Sequence, residues 1–202
     1  MGVDRSERVR AHLAESAELK REVAAGLTAA IVSAADLIAA TFRAGGKVLL
    51  CGNGGSAADC QHLAAEFVNR LTADFPRPGL PAAALTTDSS VLTAVANDTG
   101  LDEVFARQVQ AFGKPGDVLI AISTSGESSN IVRAVEAAHA AGMQTIALTG
   151  RRGRLARMAT VGVAVPSDRV QYIQEAHLAI EHIVCDLVER ALFGNGETAE
   201  GD

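Results

Sequence analysis

Apolar residues recur at Val9, Leu13 and Ala17, then at Leu27, Ile31, Ala34, Leu37 and Ile38. That spacing predicts helix from Ser6 to Arg43, with a break near Gly26. The second half of the stretch is apolar on more than one face, more than a single sheet contact requires, which points to packing against another copy of the chain. From Gly45 onward short apolar runs alternate with longer helical ones, as repeated βα units and a parallel sheet demand. Five strands are predicted, at 47–51, 81–85, 117–122, 145–148 and 161–165. Helices are predicted at 56–71, 89–96, 102–112, 128–141, 155–158 and 172–193, followed by a frayed tail.

Composition narrows the fold class. With 202 residues, 48% of them hydrophobic, the chain supports one well-buried core rather than two. Only 3% are aromatic and none is Trp, so small aliphatic side chains must fill the space between layers, as they do where helices cover a parallel sheet. The net charge of −6 and the lack of a Lys/Arg block exclude a nucleic-acid footprint. The one basic run, Arg151, Arg152, Arg154 and Arg157, reads as a solvated turn. Cys51, Cys60 and Cys185 are an odd number at no metal-ligand spacing, which fits small core residues in a reducing compartment. The N-terminus starts with charged residues, and no apolar stretch is read as approaching the roughly 18 residues that span a bilayer. A cytoplasmic protein without signal peptide, membrane helix or membrane partner is therefore expected.

In an open parallel sheet, ligands settle beyond the carboxyl ends of the strands, so the loops there carry the candidate chemistry. The first strand runs into Gly52-Asn53-Gly54-Gly55-Ser56-Ala57-Ala58-Asp59, where glycines allow close backbone approach and a helix start offers free N–H groups to an anion. The same letters contain a degenerate dinucleotide pattern, Gly52-x-Gly54-x-x-Ala57. That pattern expects an acidic residue about 20 positions on, whereas Asp88 stands 36 positions after Gly52. The third strand ends in Ser123-Thr124-Ser125-Gly126-Glu127-Ser128-Ser129, five hydroxyls in seven residues. One helix cap does not use so many, and together with helix-terminal N–H groups they bind a phosphate dianion without buried lysines.

Acid-base groups lie on two helices. His62 and Glu66, four residues apart, share a face within reach of a common metal or proton, although taken alone such a pair is more often only a surface pair. His182 sits in an apolar stretch eight residues after Gln174, about 12 Å along a regular helix and too far for both to hold one ion. Either Gln174 precedes the regular helix, or one of the two serves a neighbouring subunit's site.

Gly52–Asp59, Ala96-Asn97-Asp98, Ile122–Gly126, and Ile173-Gln174-Glu175 with His182 occur together in the order found in a known family. From about residue 30 to 193 the chain resembles the phosphoheptose isomerases of the sugar isomerase (SIS) domain class. The resemblance implies a three-layer α/β/α sandwich with a five-stranded parallel sheet, flavodoxin-like, in residues 45–194. An N-terminal helical segment, 1–44, would assemble a homotetramer, and 195–202 would be a flexible tail. It implies an aldose-ketose isomerase that converts sedoheptulose 7-phosphate to D-glycero-D-manno-heptose 7-phosphate in bacterial heptose synthesis, on the route to lipopolysaccharide precursors. By resemblance Asn53, Gly54, Gly55, Glu66, Asn97, Asp98, Ser123, Thr124, Ser125, Ser128 and Gln174 contact the sugar phosphate, with Ser56 beside it. Residues matching His62, Glu66, Gln174 and His182 bind one zinc ion (Zn2+) per subunit, and Glu66 and His182 carry the proton transfer. Moving a carbonyl between C2 and C1 needs a base and an acid around an enediol, for which Glu66 is the better base and His182 the better donor, the reverse allocation remaining open.

Three positions depart from the family pattern: Gln171 in place of an acid, Arg154 in place of a frequent glycine, and Glu127 in place of a frequent asparagine. Glu127 sets a negative charge near a proposed dianion site, unless it turns to solvent. The competing reading is a non-catalytic SIS-fold protein that binds a replication initiator or senses sugar phosphates. Such a protein could keep the hydroxyl loops without the acid-base residues, so His62, Glu66 and His182 favour the enzyme.

Overall fold

The computed structural model describes residues 4–194, so the tail expected at 195–202 lies outside the described residues. Five parallel strands form one sheet: β1 Val48–Gly52, β2 Ala82–Ala84, β3 Val118–Ser123, β4 Gln144–Thr149 and β5 Val161–Ala164, in the order β2-β1-β3-β4-β5. All five predicted strands are present, within a residue or two of their expected ends. The helices are α1 Arg5–Arg43, α2 Gly55–Val68, α3 Ser89–Asp98, α4 Val104–Phe112, α5 Ser129–Ala140, α6 Leu155–Met158 and α7 Val170–Phe193. A 3₁₀ turn, Leu101–Glu103, precedes α4.

Strand alternation sorts the core into two layers. Val48, Leu50, Val118, Ile120, Ile122, Ile146 and Val163 point to one face and pack under Ile38 of α1, Leu63 and Phe67 of α2, and Ile173 and Ile180 of α7. Leu49, Cys51, Leu119, Ala121 and Ala147 point to the other, under Phe105 and Val109 of α4, Ile131 and Val135 of α5, and Leu155 of α6. The result is the expected α/β/α sandwich. Strand order reverses between β1 and β3, which places the ends of these two neighbours at the topological switch point.

Two expectations for α1 are corrected. The helix runs unbroken through Gly26, where nothing lies within 4 Å. A mid-helix glycine costs only about 1 kcal/mol, and flanking burial of Val23 and Ile31 offsets it. The helix also contains an 18-residue window of mean hydropathy 1.9, apolar enough by length and composition to cross a membrane, contrary to the reading that none approached it. Part of that window faces α7 through Ile31, Ala34, Ala35 and Ile38, while Val32 stays exposed.

Candidate active site

The two loops at the switch point face each other. Asn53 Nδ2 donates to Asn130 Oδ1, and Asn130 Nδ2 donates back to Asn53 Oδ1, each at 2.9 Å. This reciprocal amide pair joins the turn after β1 to the first turn of α5. Gly54 caps α2 with a φ of 55° and no side-chain bond, leaving the N–H groups of Gly55 and Ser56 without an intrahelical acceptor. Ser56 itself is buried.

Opposite lies the hydroxyl loop. Ser123 Oγ is 3.1 Å from Ser128 Oγ and 3.3 Å from Ser125 Oγ, and the Glu127 N–H donates to Ser125 Oγ. Ser128 occupies the N-cap of α5 yet makes no side-chain cap bond, so its hydroxyl turns to Ser123 rather than to the helix. Three hydroxyls thus converge at the positive end of a 12-residue helix, as an anion cradle requires. Gly126 has a φ of +65°, and a Cβ there would lie 2.7 Å from Arg152 O, so the loop is clamped on its outer side by the segment after β4.

The departures at Glu127 and Arg154 are a single arrangement. The Arg154 N–H donates to Glu127 Oε1 at 2.9 Å and its Nε lies 3.5 Å from Oε2. Glu127 is therefore held away from the hydroxyls by its partner. Arg151, Arg152, Arg154 and Arg157 are exposed, the solvated turn expected; in addition Arg152 pairs with Asp168 and Arg151 donates to Pro166 O. Gln171 is exposed in the first turn of α7.

Below the cradle, α2 and α7 run side by side in the same direction. Gln174 lies against Gly55, where a Cβ would come 2.3 Å from its Nε2; only glycine admits the amide. Two turns further along both helices His62 Nε2 and His182 Nε2 share a hydrogen bond of 2.8 Å, one imidazole donating to the other. Glu66 Oε1 lies 3.6 Å from His62 Nε2, and Glu66 Oε2 is buried without a partner. Gln174 falls within the regular helix, which removes one of the two alternatives for it. Within one chain it stands by the anion loops while His62, Glu66 and His182 form a separate group.

Two imidazoles and a carboxylate are donors that zinc accepts, and the orphaned Glu66 oxygen leaves a lone pair for it. Two nitrogens about 2.0–2.1 Å from a tetrahedral ion lie about 3.3 Å apart. The 2.8 Å between the histidines is that of a shared proton. Among the described residues no three His, Cys, Asp or Glu side chains form a complete metal cage. The donor chemistry fits zinc, and a fourth ligand from Gln174 would have to come from another copy.

Asn97 and Asp98 end α3, a helix with no buried residue. Asn97 bonds to Asp98 at 2.9 Å, and Asp98 opens onto a groove with Thr99, Glu103 and Arg107. A single chain does not join them to the cradle. Asp88, weighed above as a ribose ligand, caps α3 by accepting the Val91 N–H at 3.0 Å.

Three groups escaped the sequence reading. Asn130 is buried and ties the loops. Glu181, 1% exposed, has no partner for either oxygen, and burial, then the nearby Asp59 carboxylate, push its pKa up to about 8. Asp59 is itself pushed up by burial, partly offset by His62. His177 donates Nε2–H to Thr149 O at 3.1 Å, and burial pushes it down to about 4, so it is neutral. Polar letters on a mostly apolar helix gave no sign of which face they would occupy.

A family model described as SIS domain matches residues 11–150. A phosphoheptose isomerase of Roseiflexus sp. strain RS-1 is 51% identical over 179 residues, covering 88% of this chain and 90% of the relative. The solved phosphoheptose isomerase of Neisseria gonorrhoeae is 48% identical with a TM-score of 0.84, covering 91% of this chain and 97% of that one. That of Francisella tularensis is 40% identical with a TM-score of 0.88, covering 93% and 100%. With this coverage and identity, added to the SIS match and the shared architecture, the chain belongs to the phosphoheptose isomerase family of SIS-domain proteins.

Proposed function

We propose that the chain isomerises sedoheptulose 7-phosphate to D-glycero-D-manno-heptose 7-phosphate through an enediol. The observation that carries this reading is the seam between α2 and α7, which has an anion cradle at its mouth and a carboxylate-imidazole group two turns along. From Gly55 to His62 is about 10 Å along the helix axis, enough for a phosphate at one end of a sugar and its carbonyl at the other.

Ser123, Thr124, Ser125 and Ser128, with the N–H groups opening α5, grip the phosphate. Gly54, Gly55, Ser56 and Asn53, with Gln174, hold the sugar hydroxyls; Asn97 and Asp98 join from α3 in the assembled protein. Glu66 takes the C1 proton while a proton reaches the C2 oxygen from His182, giving the enediol. Return of a proton to C2 and loss of one from the C1 oxygen complete the aldose. His62, hydrogen-bonded to His182, fixes that ring and its proton. Zinc, held by His62, Glu66 and His182 with Gln174 of another copy, would polarise the carbonyl oxygen and stabilise the charge that develops there.

The homotetramer expected from the resemblance is proposed as well. Supporting it is an apolar groove of about 400 Å³ between α1 and α7, lined by Val23, Ile31, Val32, Ile180, Ile183 and Leu187. A cytoplasmic location is proposed with it, and it requires that α1 be covered by other copies rather than by lipid. Incubation of the purified protein with sedoheptulose 7-phosphate, with and without zinc, tests the activity. No heptose 7-phosphate under any metal condition would end the proposal.

A further inference from the structure

The 69–81 segment between α2 and β2 buries a charge. The Arg77 side chain is 0% exposed and that of its partner Glu189 is 3% exposed. Arg77 Nη2 donates to Glu66 O at 2.7 Å, and Nη1 donates to Phe67 O at 2.7 Å and Pro78 O at 3.0 Å. Nε donates to Glu189 Oε1 at 2.8 Å, and the same oxygen accepts the Leu71 N–H at 3.1 Å. The guanidinium thus satisfies the last carbonyls of α2, which no helix residue can reach, and sets a positive charge at the negative end of the helix. Its partner Glu189 lies seven residues after His182, on the same face of α7.

A buried ion pair is weak support for stability as such, because desolvation offsets the attraction. This one joins the backbone of Glu66 to the helix that carries His182. Resting on the isomerase reading, we propose that Arg77 and Glu189 are positioning residues for the proton-transfer step. They hold the end of α2 against α7 and so fix where the Glu66 carboxylate stands relative to the His182 ring. Sugar-phosphate binding, made about three turns away, does not depend on them.

The test uses full-length Arg77→Lys, which keeps the charge but cannot serve Glu66 O, Phe67 O and Glu189 together, and Glu189→Gln, which keeps the shape should the first variant fold poorly. Wild-type turnover of sedoheptulose 7-phosphate, measured alongside, checks the isomerase reading independently. Given an active wild type, kcat per folded subunit is expected to fall about tenfold or more, since misplacement by a fraction of an ångström is costly. KM should stay within about threefold, and the pH–rate profile should shift. A folded variant of either kind whose kcat stays within about twofold of wild type, or whose loss lies in KM alone, would overturn the proposal.

Discussion

Asn53 and Asn130 exchange two hydrogen bonds of 2.9 Å across the switch point, so the glycine turn after β1 and the first turn of α5 are set by one another. Replacing Asn130 with Ala leaves the Asn53 amide without that partner and frees the turn beside the cradle. KM for the sugar phosphate should rise severalfold, with kcat changing less. The unfolding midpoint should fall by a few degrees, since an orphaned polar group costs about 1–3 kcal/mol. Steady-state kinetics and a thermal melt check both, and an unchanged KM would assign the pair to stability alone.

The sheet was legible because a strand buried on both faces is an apolar run bounded by turn residues, as at Val118–Ser123. The glycines and hydroxyls after β1 and β3 were legible because an anion cradle leaves its chemistry in the letters. The rest depends on relations between distant segments. Nothing local says that Asn130 meets Asn53, 77 positions away, or that Arg77 reaches Glu189, 112 away. Glu127 looked like an intruder beside a dianion until Arg154, 27 positions on, was found to hold it. The break at Gly26 was misread because glycine propensity is a weak prior against burial on either side of it.

Glu66→Gln keeps the volume of the side chain and removes its basicity. Turnover should fall by a factor on the order of 10² to 10⁴, the range a positioned general base supplies. Titration calorimetry should still register sugar-phosphate binding, because the cradle is about three turns away. A variant with near-normal kcat would move the base elsewhere, His182 being the first alternative.

The Glu127–Arg154 pair is more than half exposed on each side, so its net stabilisation is small, below about 1 kcal/mol. Its consequence should appear in phosphate affinity. Arg154→Ala keeps the backbone N–H on Glu127 Oε1 but removes the guanidinium from Oε2, so the carboxylate beside the hydroxyl loop is no longer neutralised and inhibition by inorganic phosphate should weaken severalfold at low salt, less at high salt. Adding Glu127→Ala to that variant should restore the affinity. Failure of the double variant to recover would mean that the pair acts by loop geometry rather than by charge.

Two buried groups on α7 give stability opposing dependences on pH. His177, lowered from 6.5 to about 4, stays neutral in the fold while the unfolded chain takes up a proton, so its contribution is lost as pH falls from about 6.5 towards 4. Glu181, raised from 4.5 to about 8, keeps a proton in the fold that the unfolded chain releases, so its contribution is present below 4.5 and lost as pH rises towards 8. Between about 4.5 and 6.5 the two slopes oppose each other. Between about 6.5 and 8 only Glu181 acts, and stability should decline by on the order of 2 kcal/mol. Urea unfolding in metal-free buffer should show that decline, and Glu181→Gln should abolish it.

The apolar window of α1 has two possible covers, and the residues that line its groove distinguish them. Val32 and Ile183 are 42% and 47% exposed in a single chain, on α1 and α7, at the same groove. A second copy seated there would bury both, and an Asp at either position would then place an unpaired charge in an apolar interface at a cost of several kcal/mol. Val32→Asp or Ile183→Asp should therefore convert the proposed tetramer to smaller species in sedimentation, without detergent and without loss of secondary structure. Activity should fall with assembly, because Gln174 cannot reach its own chain's His182 along the helix. The decisive measurement mixes two inactive proteins, Gln174→Ala and His182→Ala, under conditions that exchange subunits. Mixed oligomers contain sites built from one intact Gln174 and one intact His182, so activity should reappear; if the mixture stays as inactive as its components, each chain supplies its whole site.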